Sequence, residues 1–357
     1  FDMPGRDITA EFAQLGASVN AFTGYDMTAY YFTCTNNFQT CLSLLLEMVA
    51  KPYFTQESVE KEQGIIGQEI DMNEDAPESR IFEDLMGAMY QNHPIREPIL
   101  GTRQTIRQIT PQVLYDCHRA GYRPDNMILC VIADCDPEEI VRIATELTRD
   151  MPRPQVTVTN SWAESAGCRE KLVRSQMEVA RPVFQLGFKC EPTGKGESAV
   201  RQENVGDLAA EALFGESSEL YLRLYEEGII DSSFGGGFET IDGCAMLMCS
   251  GDSENPVAVR EAILAQAEKL AREGIPEANF LRMKRSALGR RIRELDSFDS
   301  TCFRTCAYHL SEFDYFRFPG VYAQIQASEI QDFLAETVIA DHCGISVIYP
   351  LHQEEDE

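Results

Sequence analysis

The alternation of apolar and polar positions divides the chain into two passages of similar order. Short β-rich runs at Ser18–Phe22 and Met27–Cys34 flank the turn Thr23-Gly24-Tyr25-Asp26 and read as a hairpin. Helical periodicity follows at about Phe38–Val49, Gln56–Met72, Arg80–Tyr90 and Pro111–Ala120, and a continuous apolar run at Met127–Ala133 predicts a buried strand. The stretch Met151–Gly167 carries two prolines and no helical period, so the pattern breaks there. Beyond it come a strand at Val183–Lys189, a long helix at Gln202–Glu227 and β-type runs at Ser232–Glu239 and Cys244–Ser250. Helices at about Val257–Glu273, Glu277–Leu295, Ser300–Leu310 and Ala327–Ile339 precede a last strand at Gly344–Ile348. The expectation is an α+β protein made of two copies of one unit, each an antiparallel-rich sheet covered by helices. The copies span 1–150 and 177–350, joined by a linker at 151–176 and followed by an acidic tail at 351–357.

The copies are unequal at their fronts. The second has a strand and a long helix, Val183–Glu227, ahead of its hairpin, whereas the first has only the amphipathic stretch Asp7–Leu15. About forty to sixty residues expected from the repeat are missing there. The chain also begins at Phe1 rather than at a methionine, which fits a chain whose front lies elsewhere.

Composition narrows the class. The 357 residues exceed the ~250–300 at which one hydrophobic core stops growing, in keeping with two domains. Lys and Arg number 31 against 58 Asp and Glu, a net charge of −27, which argues against binding nucleic-acid backbones or anionic lipids. Apolar runs such as Leu42–Leu46 fall far short of the ~18–20 residues that span a bilayer, so a soluble, cytoplasmic protein is expected. The twelve cysteines form no CxxC pair, and Cys130 and Cys249 sit within apolar runs. Buried free thiols in a reducing compartment fit this pattern better than a disulfide framework.

The helix Gln56–Met72 is the most informative segment for chemistry. At 100° per residue Val59, Glu62, Ile66, Glu69 and Ile70 fall on one stripe, so two carboxylates share a face with aliphatic residues. Buried carboxylates need a partner or a metal. Sliding the second copy over the first sets Met283 opposite Glu62 and Arg290 opposite Glu69, so the shared fold does not itself require those acids. Gly64 and Gly67 weaken a helix and are best explained by an element that packs close. In the hairpin, Asn20, Phe22, Thr28 and Tyr30 are expected on one polar and aromatic face, with a strand edge able to pair an extended peptide. Cys302, Cys306 and His309 share a helix face but lack a fourth ligand for a metal. Gly235-Gly236-Gly237 suggests a bend or bulge rather than a phosphate cradle.

Four spaced stretches carry a resemblance: GASVNAFTGYDMTAYYF, FTQESVEKEQGIIGQEIDM, HPIREPILGTRQTIRQIT and YRPDNMILCVIADCDPEEI. In this order they resemble the insulinase/pitrilysin-type zinc peptidases, which include mitochondrial processing peptidase, and most of all the short bacterial members that work as two-subunit proteases. The resemblance implies a zinc endopeptidase acting on peptides in an enclosed chamber. It makes Glu69 the third zinc ligand, Glu62 its supporting carboxylate, and Asn20, Ala21 and Phe22 the edge against which substrate lies. The family's HxxEH motif, which supplies two zinc histidines and the general base, does not occur in this sequence. The resemblance therefore implies zinc in the intact protein, no catalytic zinc on this chain alone, and an inactive fragment. The family's Arg/Tyr pair is replaced by Leu224 and Asp231, so a homo- or heterodimeric partner subunit is implied as its source. A non-catalytic scaffold that binds peptide and supports a catalytic partner is the alternative.

Overall fold

The computed structural model describes residues 2–156 and 162–351. The chain runs through strands β1 (Asp2–Met3) and β2 (Arg6–Asp7), helix α1 (Ile8–Gln14), and strands β3 (Ala17–Thr23) and β4 (Thr28–Cys34). Helices α2 (Phe38–Ala50), α3 (Gln56–Glu74), α4 (Pro77–Met89), α5 (Arg103–Ile106), α6 (Pro111–Gly121) and α7 (Pro137–Thr148) follow. Next come β5 (Leu172–Met177), β6 (Val183–Lys189), α8 (Glu197–Phe214), α9 (Glu219–Glu226), β7 (Gly235–Ile241) and β8 (Cys244–Asp252). The chain closes with α10 (Pro256–Glu273), α11 (Glu277–Glu294), α12 (Phe298–Leu310), α13 (Phe318–Gln324), α14 (Ala327–Thr337) and β9 (Cys343–Pro350). Among the described residues no helix is long and apolar enough to cross a membrane.

The fold is α+β and forms two units. One holds the residues up to Asp71 together with those from Ile99 to the break; the other holds Met72–Pro98 and the residues from Trp162 onward. In the first unit β3 and β4 pair antiparallel, Ala17 opposite Cys34 through Thr23 opposite Thr28. Their inner face (Val19, Tyr30, Phe32) covers a core of Ile8, Phe12, Cys41, Leu44 and Leu45, and a second cluster joins Leu42 and Leu46 of α2 to Ile143 of α7. The start of α7 carries a capping signature the pattern reading passed over: Asp136 accepts from Glu138 N at 3.0 Å, and Pro137 occupies the first turn. Met127–Ala133, expected as a buried strand, is not one. No described strand runs beside it, and an extended segment without a ladder partner has nowhere to place its backbone hydrogen bonds except water. For the same reason Cys130 is only half-buried, although all twelve cysteines are free thiols.

In the second unit five strands order as β5-β9-β6-β8-β7, with only the β5–β9 pair parallel. Phe184, Leu186 and Phe188 of β6 point to one face, where α8, α10 and α14 close the main core. The opposite face is set by two glycines. Gly187 and Gly344 lie directly opposite each other on β6 and β9. A Cβ on Gly187 would sit 2.6 Å from Met89 Sδ, and one on Gly344 2.9 Å from Met89 Cγ. The pair thus makes a groove that receives the end of α4, which is why 72–98 belong with this sheet although sequence order places them within the expected domain 1–150.

Three further details differ from the pattern reading. The helix expected over Gln202–Glu227 breaks at Gly215, and α9 restarts on Ser218, whose Oγ accepts from Tyr221 N at 3.0 Å. Gly235-Gly236-Gly237 forms a regularly paired strand instead of a bend, and Gly236 lacks a side chain because Met248 O and the Phe214 ring occupy that space. Strand β5 begins within the expected linker 151–176 and ends at Met177.

Candidate functional site

Helix α3 and the β3–β4 hairpin carry the residues singled out in the first unit. On α3, Val59, Gly67 and Ile70 are buried, with Gln63 and Ile66 half-buried, so the inner stripe runs beside the carboxylates rather than through them. Glu62 and Glu69 are exposed, which corrects the expectation that they share the buried face. Water solvates both, and burial alone demands no explanation for them. They remain two turns apart on one side of the helix, ~10 Å along its axis.

What seats α3 is the segment after Pro98. Gln63 Nε2 donates to Ile106 O (3.0 Å) and Ile109 O (2.8 Å). Arg103 lies across Gly67: a Cβ there would meet Arg103 Nη1 at 2.7 Å. From that position Arg103 Nε donates to Asp71 Oδ1 at 2.7 Å, and its Nη2 donates to Asp71 Oδ2 as well. The guanidinium beside it holds the Asp71 carboxyl below the usual carboxylate range. Gly67 therefore has the close neighbour expected of it, whereas Gly64 faces open space.

The register of the hairpin corrects its expected faces. Directly opposed residues share a side, so Asn20 and Tyr31 lie with Phe22 on the outer face, while Thr28 and Tyr30 lie on the other. Phe22 and Tyr31 are about two-fifths exposed, with ring centroids 6.3 Å apart. Asn20 Oδ1 accepts from the Ala21 amide at 2.8 Å. Among the described residues β3 pairs with no strand other than β4, so its second edge faces no further strand. The inner side is braced by residues the sequence reading did not single out. Tyr30 and Tyr122 share a hydroxyl hydrogen bond of 2.7 Å, and Tyr122 stacks on His118, whose Nε2 lies 2.8 Å from Val49 O. Burial, then the Tyr30 hydroxyl, pushes the Tyr122 phenol up. His118 is thus a packed structural residue.

In the second unit a cleft of about 650 Å³ opens over Gly235-Gly236-Gly237. Its arginines are each paired with an acid: Arg290 with Glu211 (3.4 Å) and Arg304 with Glu294 (2.9 Å), both lining the cleft, and Arg291 with Glu203 (2.7 Å) behind it. Met283, opposite Glu62 in the repeat, is buried, and Arg290, opposite Glu69, lines the cleft. Leu224 is a core residue, and Asp231 accepts from Arg181 Nη1 at 2.9 Å and from Ser233 N and Oγ. Among the described residues no three side chains of His, Cys, Asp or Glu converge as a metal would need, Cys302, Cys306 and His309 included.

Comparison with known proteins gives the chain its relatives. Residues 2–103 match the family described as insulinase (peptidase family M16), and residues 108–287 match the peptidase M16 inactive domain. An uncharacterized zinc protease of Bacillus subtilis strain 168, YmfH, is 32% identical over 98% of this chain and 82% of its own length. The crystal structure of an M16-like peptidase from Alicyclobacillus acidocaldarius superposes with a TM-score of 0.92 at 28% identity, covering 98% of this chain and 84% of that one. A protease from Helicobacter pylori shares the fold at 18% identity and a TM-score of 0.84, covering 96% of this chain and 84% of that one.

Proposed function

We infer a function from the premise that this chain belongs to the insulinase family of peptidases, family M16, whose homologues are named zinc proteases. The chain supplies the peptide-aligning edge and one carboxylate ligand of a zinc endopeptidase site, and by itself it is inactive. The carrying observation is that, among the described residues, one unit holds both a β3 edge with no further strand beside it and two solvated carboxylates two turns apart on α3. An extended peptide adds to that edge through backbone hydrogen bonds, with Phe22 and Tyr31 beside it for an apolar side chain. In this reading Asn20 and Ala21 set the register, Glu69 is the ligand and Glu62 its orienting neighbour.

The donors present do not make up a zinc site. Catalytic zinc takes three protein ligands plus water, and the described residues bring no such set together. In this reading the described residues contribute part of a zinc site rather than a hydrolytic step of their own. The two histidines and the general base belong to the HxxEH motif, and the Arg/Tyr pair belongs to a partner subunit.

The test compares zinc content and peptide hydrolysis of this chain with those of one extended upstream to include an in-frame HxxEH. The extended protein should bind about one zinc and cleave unfolded peptides in a chelator-sensitive way, while the present chain should do neither. Chelator-sensitive hydrolysis by the present chain would overturn the reading. Activity in a heterodimer that needs this chain at its present length would favour the scaffold reading instead.

A further inference from the structure

Helix α11 runs against the charge of the whole chain. Six of its eighteen residues are basic and two acidic, in a protein of net charge −27. Arg282, Arg285 and Arg293 are exposed and fall within one face of the helix, with Gly289 between them. Arg285 and Arg293 have no hydrogen-bond or ion-pair partner among the described residues, and Arg282 donates only to Ser217 Oγ at 3.0 Å. Acids outnumber bases nearly two to one here, so guanidinium groups are readily neutralised, as the three in the neighbouring cleft are. Like charges three residues apart also weaken a helix. Beside this stripe Leu281 and Ile292 are 39% and 49% exposed.

We propose that the exposed face of α11 is a docking surface for an acidic polypeptide segment in extended conformation. Arg282 to Arg293 spans eleven residues, ~16 Å along the helix axis. Alternate side chains of an extended peptide recur about every 6.7 Å, so roughly three carboxylates at alternate positions cover that length. Arginine rather than lysine at all three positions suits bidentate pairing with carboxylates. Gly289 leaves open space at the centre of the stripe for the peptide backbone to approach, and Leu281 and Ile292 offer apolar contact along one flank. Three guanidinium groups on an acidic protein are too few to hold a nucleic-acid backbone against the remaining charge. The proposal stands apart from the peptidase reading, because it uses no residue of α3 or of the hairpin.

The experiment measures fluorescence anisotropy of a labelled ten-residue peptide of alternating glutamate and threonine with the full chain. Saturable binding is expected, weakening about tenfold between 50 mM and 0.5 M salt. R285E/R293E should weaken it tenfold or more with an unchanged melting temperature, since neither side chain has a partner to lose. R285K/R293K should fall between, because an ammonium keeps the charge and loses the bidentate geometry. Absence of binding, or equal binding by R285E/R293E, overturns the proposal. So does tighter binding of a DNA duplex of equal charge. Binding that appears only when residues 352–357 are deleted would assign the surface to the chain's own acidic end and overturn it as well.

Discussion

Replacing Gly64 and Gly67 by alanine, one at a time, separates helix propensity from packing on α3. Both are interior helix positions, where alanine is favoured by about 1 kcal/mol. Nothing lies within 4 Å of a Cβ at Gly64, so Gly64→Ala should keep the whole gain and raise the melting temperature of its unit by roughly 2–4 °C. At Gly67 the same methyl group meets Arg103 Nη1 at 2.7 Å and Cζ at 3.3 Å. Ordinary contact begins near 3.4 Å, so the guanidinium must move by ~0.7 Å, enough to break the two-point pairing with Asp71. Gly67→Ala should therefore show less than half the gain of Gly64→Ala. In an Arg103→Ala background the two substitutions should become equal. Differential scanning calorimetry of the single and double variants measures this. Equal stabilisation by both alanines in the wild-type background would refute the role assigned to Arg103.

Further outcomes follow from the same geometry. The Lys189 ammonium donates to Ser165 O (2.7 Å), Glu164 Oε2 (3.2 Å) and Met89 O (3.3 Å), and lies 4.5 Å from the Tyr90 ring centroid. Lys189→Met should cost roughly 2 kcal/mol in urea denaturation, less than a fully orphaned charge because Glu164 keeps the amides of Gln91, Asn92 and His93. Burial acts to raise the Glu164 carboxyl, but those amides and Lys189 bring it below its ordinary value. Its stabilising contribution is thus present above the usual carboxylate range and lost as pH falls through its lowered pKa, so the effect of Glu164→Gln should shrink on acidification; a constant effect would contradict this. Gly206→Ala should destabilise by about 1–3 kcal/mol despite better helix propensity, because its methyl group would enter the buried Phe238 ring; a stabilised variant would show that the ring yields. Glu62→Gln and Glu69→Gln in this chain should leave the melting temperature within about 1 °C, as expected of exposed side chains without partners among the described residues.

The elements legible in the sequence are those whose signal is local. The hairpin is marked by alternation around Thr23–Asp26, and helices α2, α3, α6, α10 and α11 by uninterrupted apolar period, so their existence follows from where side chains must point. The family resemblance rested likewise on short motifs read in order. Neighbours decided the rest. Met127–Ala133 has the composition of a buried strand, yet a strand forms only when another supplies its hydrogen bonds. Glu62 and Glu69 fall within the calculated stripe, yet the helix is turned by Arg103, Ile106 and Ile109 so that Gly67 and Ile70 face inward and the carboxylates meet water. The sequence by itself thus determined the order and kind of most elements and the residues worth watching, because backbone periodicity is a property of neighbouring positions. Only the tertiary structure decided which face is buried, which glycine is crowded and which sheet α4 joins. Those depend on contacts such as Met89 over Gly187 and Gly344, made between residues far apart in the chain, and no local pattern encodes them.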